Sequence, residues 1–300
     1  MFEVGRIFAD DNKDAHLKTF GYTQEQLLEG YEIAYLNAFI RHLWPHDIDQ
    51  PHDDDRDAPW LESSYFSTSV DVRSEIDRQV KAIMRRHVSR LLPGYKVLTC
   101  GVFLKVPGAR FFGLHHHLSV LDDYRKYVIN IWCPLQATTA NSGTLHVLPN
   151  SHKITPEIVS FAYDAYYKDY ESSLRDKFSV ALESAPGQAV FFDDTTHHWT
   201  SSNNSQQVRL AIHCACIPKQ EEPIFYYSDI GHPERFEIYR TDEDYYVNSL
   251  QVPRGKESER PVGLRFLGYA PNNNQVYSMD EYCSMIANAE QIRQELYSRD

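Results

Sequence analysis

The sequence has few cysteines, few basic residues and no long apolar run, and each shortage excludes a class of protein. No stretch approaches the 18 consecutive apolar residues that suggest a membrane-spanning helix. Lysine and arginine number 30 against 42 acidic residues, and the net charge of −12 argues against nucleic acid or an anionic membrane as a partner. Five scattered cysteines do not resemble a disulfide framework, and the first residues are acidic where a secretion signal is basic. These features predict a soluble, cytoplasmic protein.

Helical periodicity is clearest near the two ends of the chain. A capping box is a serine or threonine followed three residues later by glutamate or glutamine, and before an apolar helical series it indicates the start of a helix. The helix signals, in chain order, are Thr23 with Gln26, the apolar face of residues 76–91, Thr155-Pro156-Glu157, and Ser278 with Glu281. One further segment, residues 46–57, holds six aspartates and two histidines. It could bind a hard cation, but a run of like charge is more often a solvated surface, which we favour.

The middle of the chain has a different pattern, of short β-branched and aromatic runs separated by turn residues. The predicted strands are 95–105, 127–135, 144–148, 188–192, 196–200 and 208–218. Six such strands favour a mainly β protein, with one sandwich or closed jelly roll and helices packed outside it. No repeat or low-complexity linker divides the chain. We therefore expect a single domain over residues 1–300, in which residues 1–94 form a helical N-terminal region, residues 95–218 a β core and residues 219–300 a C-terminal cover.

Histidines are concentrated on two of the predicted strands. His115, His116 and His117 are consecutive, and His197 and His198 lie on a later strand. Because alternate side chains of a strand share a face, His115 and His117 should point one way and His116 the other. Two histidines on one face and a third from the later strand predict a metal site, and neutral imidazoles suit iron, zinc, nickel or copper. The competing interpretation is a surface patch or a set of satisfied core histidines.

Arg209 is the only lysine or arginine between Lys177 and Lys219, and it opens an apolar strand. The polar turn before it predicts a hairpin, which would place Arg209 beside the base of the strand that holds His198. A buried arginine is costly without an anion, and no acidic residue follows Asp194 in this hairpin. The anion is either a distant core carboxylate or the carboxylate of a small molecule, held by two parallel hydrogen bonds.

Four blocks occur in one order along the chain. They are HHH from His115, NIWCPLQATTANSGTLHVLPNSHK (130–153), GQAVFFDD (187–194), and HWTSSNNS from His198 followed by Arg209. Together they resemble the phytanoyl-CoA dioxygenase family of Fe(II)- and 2-oxoglutarate-dependent oxygenases, over residues 95–218. Asn150 replaces a usual glycine, and asparagine tolerates the left-handed backbone of that turn. The resemblance implies a double-stranded β-helix core, of the jelly-roll or cupin-like kind, flanked by N- and C-terminal helices.

The resemblance also implies the site. It assigns His115 as the first iron ligand and selects His198 rather than His197 as the distal one. Arg209 corresponds to the arginine that grips the far carboxylate of 2-oxoglutarate. Thr200 takes a serine position and keeps a hydroxyl for this co-substrate.

The main departure from the family pattern is His117, which occupies the position of the iron-binding aspartate. We therefore expect His115, His117 and His198 to form a three-histidine site, whose net charge is one unit more positive than that of the usual site. Trp132 and His116 are weaker candidates for the pocket wall, with simple packing as the alternative.

Three functions are compatible with this pattern. The first is a 2-oxoglutarate-dependent oxygenase that uses O2 to hydroxylate, desaturate or rearrange a small metabolite. The second is a three-histidine iron dioxygenase that binds its substrate directly, with Arg209 anchoring the substrate's own carboxylate. The third is a non-catalytic relative that binds a metal or a metabolite. The sequence carries no signal for an oligomeric state.

Overall fold

The computed structural model describes residues 5–43, 62–67, 69–123, 126–154, 158–160, 167–249 and 260–289. Its α-helices are α1 Asp11–Phe20, α2 Gly30–Leu43, α3 Val70–Leu91, α4 Glu171–Phe178 and α5 Met279–Ala287. Its strands are β1 Tyr22–Gln26, β2 Glu62–Ser63, β3 Tyr95–Lys105, β4 Phe112–His115, β5 Ile129–Pro134, β6 Leu145–Val147, β7 Val180–Leu182, β8 Gln188–Asp193, β9 His198–Thr200, β10 Arg209–Pro218, β11 Ile224–Ser228, β12 Arg235–Arg240 and β13 Arg265–Pro271. Each of the six predicted strand segments contains a strand, so the prediction of a mainly β chain is confirmed.

Two antiparallel sheets form the core. The larger has the strand order β1-β8-β5-β10-β3-β2, and the smaller has the order β4-β9-β6-β7. Both sheets contribute side chains to an apolar layer, the inter-sheet cluster, which consists of Trp132, Leu145, Val147, Leu182, Val190, Phe192 and Ala211. Two facing sheets whose strands alternate along the chain are the arrangement of a double-stranded β-helix, so this predicted fold is confirmed.

The outer face of the six-stranded sheet is covered by helices. Ile131 and Ile212 of this sheet belong to one buried cluster with Leu36 of α2 and Met84 of α3. The periodic apolar face of residues 76–91 therefore packs on the sheet, as an amphipathic helix should. A third sheet, β11-β12-β13, follows the core. No helix within the described ranges is long and apolar enough to cross a membrane.

The N-terminal helices and the C-terminal region are joined by one buried arginine. Arg73 of α3 donates from Nε to the carbonyl of Val247 and from Nη2 to that of Asn248, each at 2.8 Å. These bonds satisfy carbonyls of the π-helical turn Tyr245–Ser249. These bonds tie α3 directly to the C-terminal region.

Of the helix predictions, two are confirmed and one is wrong. Ser278 and Glu281 form the predicted capping box of α5, and the periodic residues 76–91 lie in α3. Thr23 and Gln26, by contrast, lie in β1, and the helix begins only at Gly30. Thr23 pairs with Phe191 in a ladder with β8, so inter-strand hydrogen bonding overrides the local capping signal. The predicted helix start at 155–157 and the acidic segment 46–57 lie outside the described residues.

The predicted hairpin between the strands of His198 and Arg209 is also wrong. β9 pairs with β4 and β6, whereas β10 pairs with β3 and β5, so the two strands belong to different sheets. The intervening segment crosses from one sheet to the other. Asn203 fixes this crossing, because its amide donates to the carbonyls of Lys105 and Gln207 at 2.8 Å each.

Candidate functional site

A cavity of about 330 Å³ opens between the two sheets and is lined mostly by apolar side chains. The predicted site residues His115, His117, His198, Thr200, Arg209 and Trp132 all line it. Volumes of this size are typical of small-molecule sites. The fold therefore brings residues that are distant in sequence to one cavity.

Three histidines form a cluster at this cavity. One ring nitrogen from each of His115, His117 and His198 lies within 4.8 Å of the other two. His115 ends β4 and His198 begins β9, and the two are direct partners in that antiparallel ladder. His117 follows the strand end, where its backbone N–H donates to the carbonyl of Asp194 at 3.0 Å. The first and third histidines of the triplet lie together as the predicted alternation requires, although the strand predicted to hold all three ends at His115.

The chemical state of these histidines suits a divalent metal. Nδ1 of His115 bonds to the carbonyl of Gly113, and Nδ1 of His198 to that of Thr196, each at 2.8 Å. Because a carbonyl only accepts, both Nδ1 atoms carry the proton and both Nε2 atoms keep a free lone pair. Burial lowers the pKa of His115 to about 4 and the pKa values of His117 and His198 well below the usual range. Three neutral imidazoles with converging nitrogens fit iron(II).

His116 lies on the opposite side from its neighbours. Its ring stacks on that of His197, with centroids 4.7 Å apart and planes 27° from parallel. Tyr167 packs edge-on against His197 at 4.9 Å, so this pair belongs to the packing behind the three-histidine cluster. His116 also borders the cavity, but its ring points away from the cluster.

Arg209 also lines the cavity and is buried. Its Nη1 makes a long contact of 3.4 Å with the carbonyl of Phe103, while Nε and Nη2 have no hydrogen-bond partner among the described residues. Its guanidinium lies 5.6 Å from the ring centre of Trp132. Burial lowers the pKa of Arg209 to about 9, which still leaves it charged near neutrality. A buried guanidinium with two unused donors fits a carboxylate.

A second buried cation, which sequence analysis did not identify, lies beside Arg209. Lys105 is the direct partner of Arg209 in the β3–β10 ladder. Its Nζ donates to Oγ1 of Thr200 at 2.8 Å and to the carbonyl of Ser201 at 2.7 Å. Burial, and then the charge of Arg209, lower the pKa of Lys105 to about 6. Neither basic side chain forms an ion pair with any acid that the structure describes.

Gly143 lies against the side chains of both Lys105 and Arg209. Its φ of +78° is strained for any residue with a side chain. A Cβ there would lie 2.9 Å from Cδ of Lys105 and 3.5 Å from Nε of Arg209. The glycine therefore lets the backbone approach both cations closely.

Tyr65, Asn130 and His213 were also not identified from the sequence, and all three line the cavity. Asn130 and His213 are each a lone polar residue in an apolar run, a pattern that core residues share, and Tyr65 lies in the polar run ESSYFSTS. Only the folded sheet shows that they are neighbours.

The family of the chain follows from a sequence comparison. The model of the family described as phytanoyl-CoA dioxygenase (PhyH) matches residues 41–211, more than half of the chain. The chain belongs to the phytanoyl-CoA dioxygenase family, and thus to the iron- and 2-oxoglutarate-dependent oxygenases. No curated protein matches it significantly.

Solved structures with a similar fold come from the same class of oxygenase. SnoK, a non-heme alpha ketoglutarate dependent carbocyclase from nogalamycin biosynthesis, is 16% identical with a TM-score of 0.52, and the match covers 72% of this chain and 86% of SnoK. EctD from S. alaskensis, with 2-oxoglutarate and 5-hydroxyectoine, is 18% identical with a TM-score of 0.50 and coverage of 84% and 88%. EvdO2 from Micromonospora carbonacea var. aurantiaca is 21% identical with a TM-score of 0.50 and coverage of 73% and 94%.

Proposed function

We propose that this chain oxidises a small molecule with Fe(II), O2 and 2-oxoglutarate, and that its iron is held by three histidines. His115, His117 and His198 would be the iron ligands. Arg209 and Lys105 would bind the far carboxylate of 2-oxoglutarate. The observation that carries this proposal is Arg209, a buried cation without an acidic partner in the described chain, which lines the same cavity as a cluster of neutral histidines.

Each of these side chains has a definite task. Arg209 offers two donors to one carboxylate, and this bidentate geometry fixes the orientation of the co-substrate. Thr200 accepts a hydrogen bond from Lys105, so its own hydroxyl proton is available to the same carboxylate. Apolar walls exclude water, which strengthens every charge interaction inside the cavity. The chemistry supplied by bound iron is the oxidative decarboxylation of 2-oxoglutarate to succinate and CO2, which can drive hydroxylation, desaturation or rearrangement of a second substrate.

The substrate that we propose is a small molecule. The cavity of about 330 Å³ has to accommodate the co-substrate as well, so the remaining space is limited. The net charge of −12 disfavours a nucleic acid or a membrane as a partner. EctD, with its 5-hydroxyectoine, is an example of a similar fold that holds a small molecule.

We also propose that residues 1–300 form one oxygenase domain and that the protein is cytoplasmic. The bonds of Arg73 to Val247 and Asn248 support the single domain, because they join the N-terminal helices to the C-terminal region. All five cysteines are free, which agrees with a reducing compartment.

The deciding experiment is an anaerobic titration with Fe(II) and then with 2-oxoglutarate. Chelation of 2-oxoglutarate by the iron should produce a weak visible charge-transfer band, and Arg209→Ala should abolish it. Lys96→Met is the matched control, because Lys96 lies at the far end of the same strand as Lys105. A chain that binds Fe(II) but gives no band contradicts the use of 2-oxoglutarate. A chain that binds no Fe(II) contradicts the metal site itself.

The second candidate is an iron dioxygenase that binds its substrate directly. The observation that favours it is the absence of any carboxylate from the three-histidine cluster that the structure describes. In this case Arg209 and Lys105 would hold the carboxylate of the substrate. If the protein binds Fe(II) but 2-oxoglutarate produces no charge-transfer band, this second candidate becomes the better-supported function.

A further inference from the structure

Two of the three clustered histidines are oriented in the same way. Nδ1 of His115 bonds to the carbonyl of Gly113, and Nδ1 of His198 bonds to the carbonyl of Thr196, each two residues earlier in the chain. That carbonyl belongs to the same peptide unit as the N–H of the residue just before the histidine. Because a trans peptide is planar and rigid, its C=O and N–H point to opposite sides. A group that holds the N–H therefore also fixes the carbonyl that orients the ring.

The peptide unit before His115 is held by Glu171, the first residue of α4. Oε1 of Glu171 accepts a hydrogen bond from the backbone N–H of Leu114 at 2.8 Å. On the opposite side of the same peptide, the carbonyl of Gly113 accepts from Nδ1 of His115 at 2.8 Å. The carboxylate, the peptide and the imidazole thus form one continuous line of hydrogen bonds. In such a line each bond polarises and strengthens the next.

An irregularity in the strand explains why a side chain holds this peptide. The β4–β9 ladder shifts its register between Phe112 and His115, so that two residues of β4 oppose the single residue Trp199. A β-bulge of this kind interrupts the ladder and re-aims the side chains beside it. Glu171 supplies an acceptor to Leu114 at this interruption. The bulge and the carboxylate together set the direction of the following histidine.

The carboxylate of Glu171 is itself held against the strands. Nε of Arg175 lies 3.3 Å from Oε1 of Glu171, one helical turn away. The guanidinium carbon of Arg175 lies 4.3 Å from the ring centre of Phe111 and 4.8 Å from that of Trp199. A Cβ on Gly113 would lie only 3.3 Å from Oε1, so the glycine lets the carboxylate approach the backbone. The position of Glu171 is therefore defined on both sides.

Ser151 has the corresponding position for His198. Its Oγ accepts a hydrogen bond from the backbone N–H of His197 at 2.8 Å and donates to the carbonyl of Leu148 at 2.7 Å. The N–H of His197 and the carbonyl of Thr196 belong to one peptide unit, and that carbonyl accepts from Nδ1 of His198. Ser151 is only 2% exposed, so water does not replace it. The same arrangement is thus built twice, with a carboxylate at one ligand and a hydroxyl at the other.

We propose that Glu171 and Ser151 are positioning residues, which orient His115 and His198 as metal ligands through the peptide units that precede them. This inference rests on the proposed three-histidine metal site. Neither residue belongs to the histidine cluster. They act on the affinity of the site for a metal and leave the number of its ligands unchanged.

The first test measures metal binding by the full-length protein, without turnover. Anaerobic competition against a chromophoric chelator gives the affinity for Co(II). Glu171→Ala and Ser151→Ala should each weaken it about 10-fold, the lower end of the effect of losing a direct hydrogen-bond partner of a ligand. Glu171→Gln keeps an acceptor oxygen at the same reach and should bind nearly as wild type does. Glu171→Asp keeps the charge, but its oxygens are one methylene short of Leu114, so it should bind more weakly than Glu171→Gln.

Glu183→Ala is the matched control. Oε1 of Glu183 also accepts one backbone N–H, that of Ala140 at 3.1 Å, and Ala140 is not adjacent to a proposed ligand. This substitution removes the same kind of hydrogen bond from the same protein. It should leave the affinity for Co(II) at the wild-type value.

A second readout separates positioning from a general loss of stability. Co(II) shifts the exchangeable N–H proton resonances of its histidine ligands, and those of His115 and His198 are held by their backbone carbonyls. Glu171→Ala should move or broaden one of these two resonances, and Ser151→Ala should move or broaden the other. A general loosening of the fold would change both resonances in each variant.

The outcomes are distinct. Wild-type affinity and unchanged resonances in both alanine variants would overturn the positioning role and leave the metal site and the proposed function intact. A wild-type chain that binds no Co(II) would overturn the metal site together with this inference. If Glu171→Ala does not fold, the pair Glu171→Gln and Glu171→Asp decides. Equal affinity of these two variants, or tighter binding by Glu171→Asp, would contradict the inference.

Discussion

Lys105 and Arg209 lie directly opposite each other on adjacent antiparallel strands, both buried, and the described residues supply neither with an acidic partner. Two neighbouring basic groups in an apolar interior are poorly solvated, and burial together with the charge of Arg209 lowers the pKa of Lys105 to about 6, so both are charged at neutral pH only when an anion joins them. The arrangement is therefore explained by ligand binding rather than by stability.

Replacing either cation should weaken 2-oxoglutarate binding. Arg209→Ala removes a bidentate partner, and truncating one member of a buried charge pair costs about 2–5 kcal/mol. Lys105→Met removes one charged hydrogen bond, which contributes about 1.5–3 kcal/mol. Calorimetric titration of the metal-loaded variants under anaerobic conditions measures both affinities for 2-oxoglutarate. Lys96→Met is the control that should bind like wild type. Equal affinity in all four proteins would show that the carboxylate binds elsewhere.

The affinity for 2-oxoglutarate should fall as the pH rises from about 6 to 8. The pKa of Lys105 is about 6 in the free protein, and a bound carboxylate raises it. Above pH 6 the free lysine is therefore largely neutral, and binding takes up a proton. The dissociation constant should increase by at most about tenfold per pH unit in this window. Binding curves at several pH values check this, and Lys105→Met should remove most of the dependence.

Substituting neighbouring histidines one at a time should have very different effects on the affinity for Fe(II). His115→Ala and His198→Ala should each lose most of the affinity for Fe(II), because two imidazoles are a poor site for a divalent ion. His116→Ala is the internal control, since the ring of His116 stacks on His197 instead of joining the cluster. Equilibrium dialysis with metal analysis measures the stoichiometry. Loss of iron from His116→Ala in a folded protein would contradict this assignment.

His117→Asp should lower turnover rather than raise it. Aspartate is shorter than histidine, so its carboxylate would lie farther from the ring nitrogens of His115 and His198 than the ring nitrogen of His117 does, and the third ligand would be weaker. Succinate formation from 2-oxoglutarate is the measurement. A gain in turnover would instead identify the wild-type site as a disabled oxygenase.

Gly143→Ala should impair 2-oxoglutarate binding, whereas Gly108→Ala should not. Both glycines have similar positive φ values, 78° and 80°, so both substitutions should cost about 1 kcal/mol or more of folding free energy. Only at Gly143 does the added Cβ meet the two cations, because nothing lies within 4 Å at Gly108. Thermal unfolding of the two variants measures the loss of stability caused by backbone strain. Titration with 2-oxoglutarate measures the loss of binding that only Gly143→Ala should show. Equal binding by both would show that Lys105 moves aside freely.

The strands and the histidine cluster could be predicted because their signals are local. Apolar runs bounded by turn residues mark β3, β5 and β10, and alternation along a strand separates His116 from its two neighbours. Thr23 shows the limit of such signals. Its capping pattern is genuine, but pairing with β8 decides its structure, and that partner is far away in the sequence.

Lys105 and Asn130 could not be predicted for a similar reason. Lys105 ends an apolar strand, where a lysine is usually solvated, and only its register with Arg209 shows that it is buried. Asn130 is one polar residue in the run INIWCP, and only the folded sheet shows that its Oδ1 accepts from His213 on a neighbouring strand. These residues are visible in the sequence, but the strand pairing that makes them neighbours is not.

The anion site joins the two sheets. Arg209 and Lys105 belong to the six-stranded sheet, whereas Thr200, which accepts a hydrogen bond from Lys105, belongs to the four-stranded sheet together with His115 and His198. The inter-sheet cluster holds these sheets at a fixed separation, as a close-packed interior does. A change in the packing of that cluster would therefore shift the two basic side chains relative to the histidines, so the fit of a co-substrate depends on residues that need not touch it.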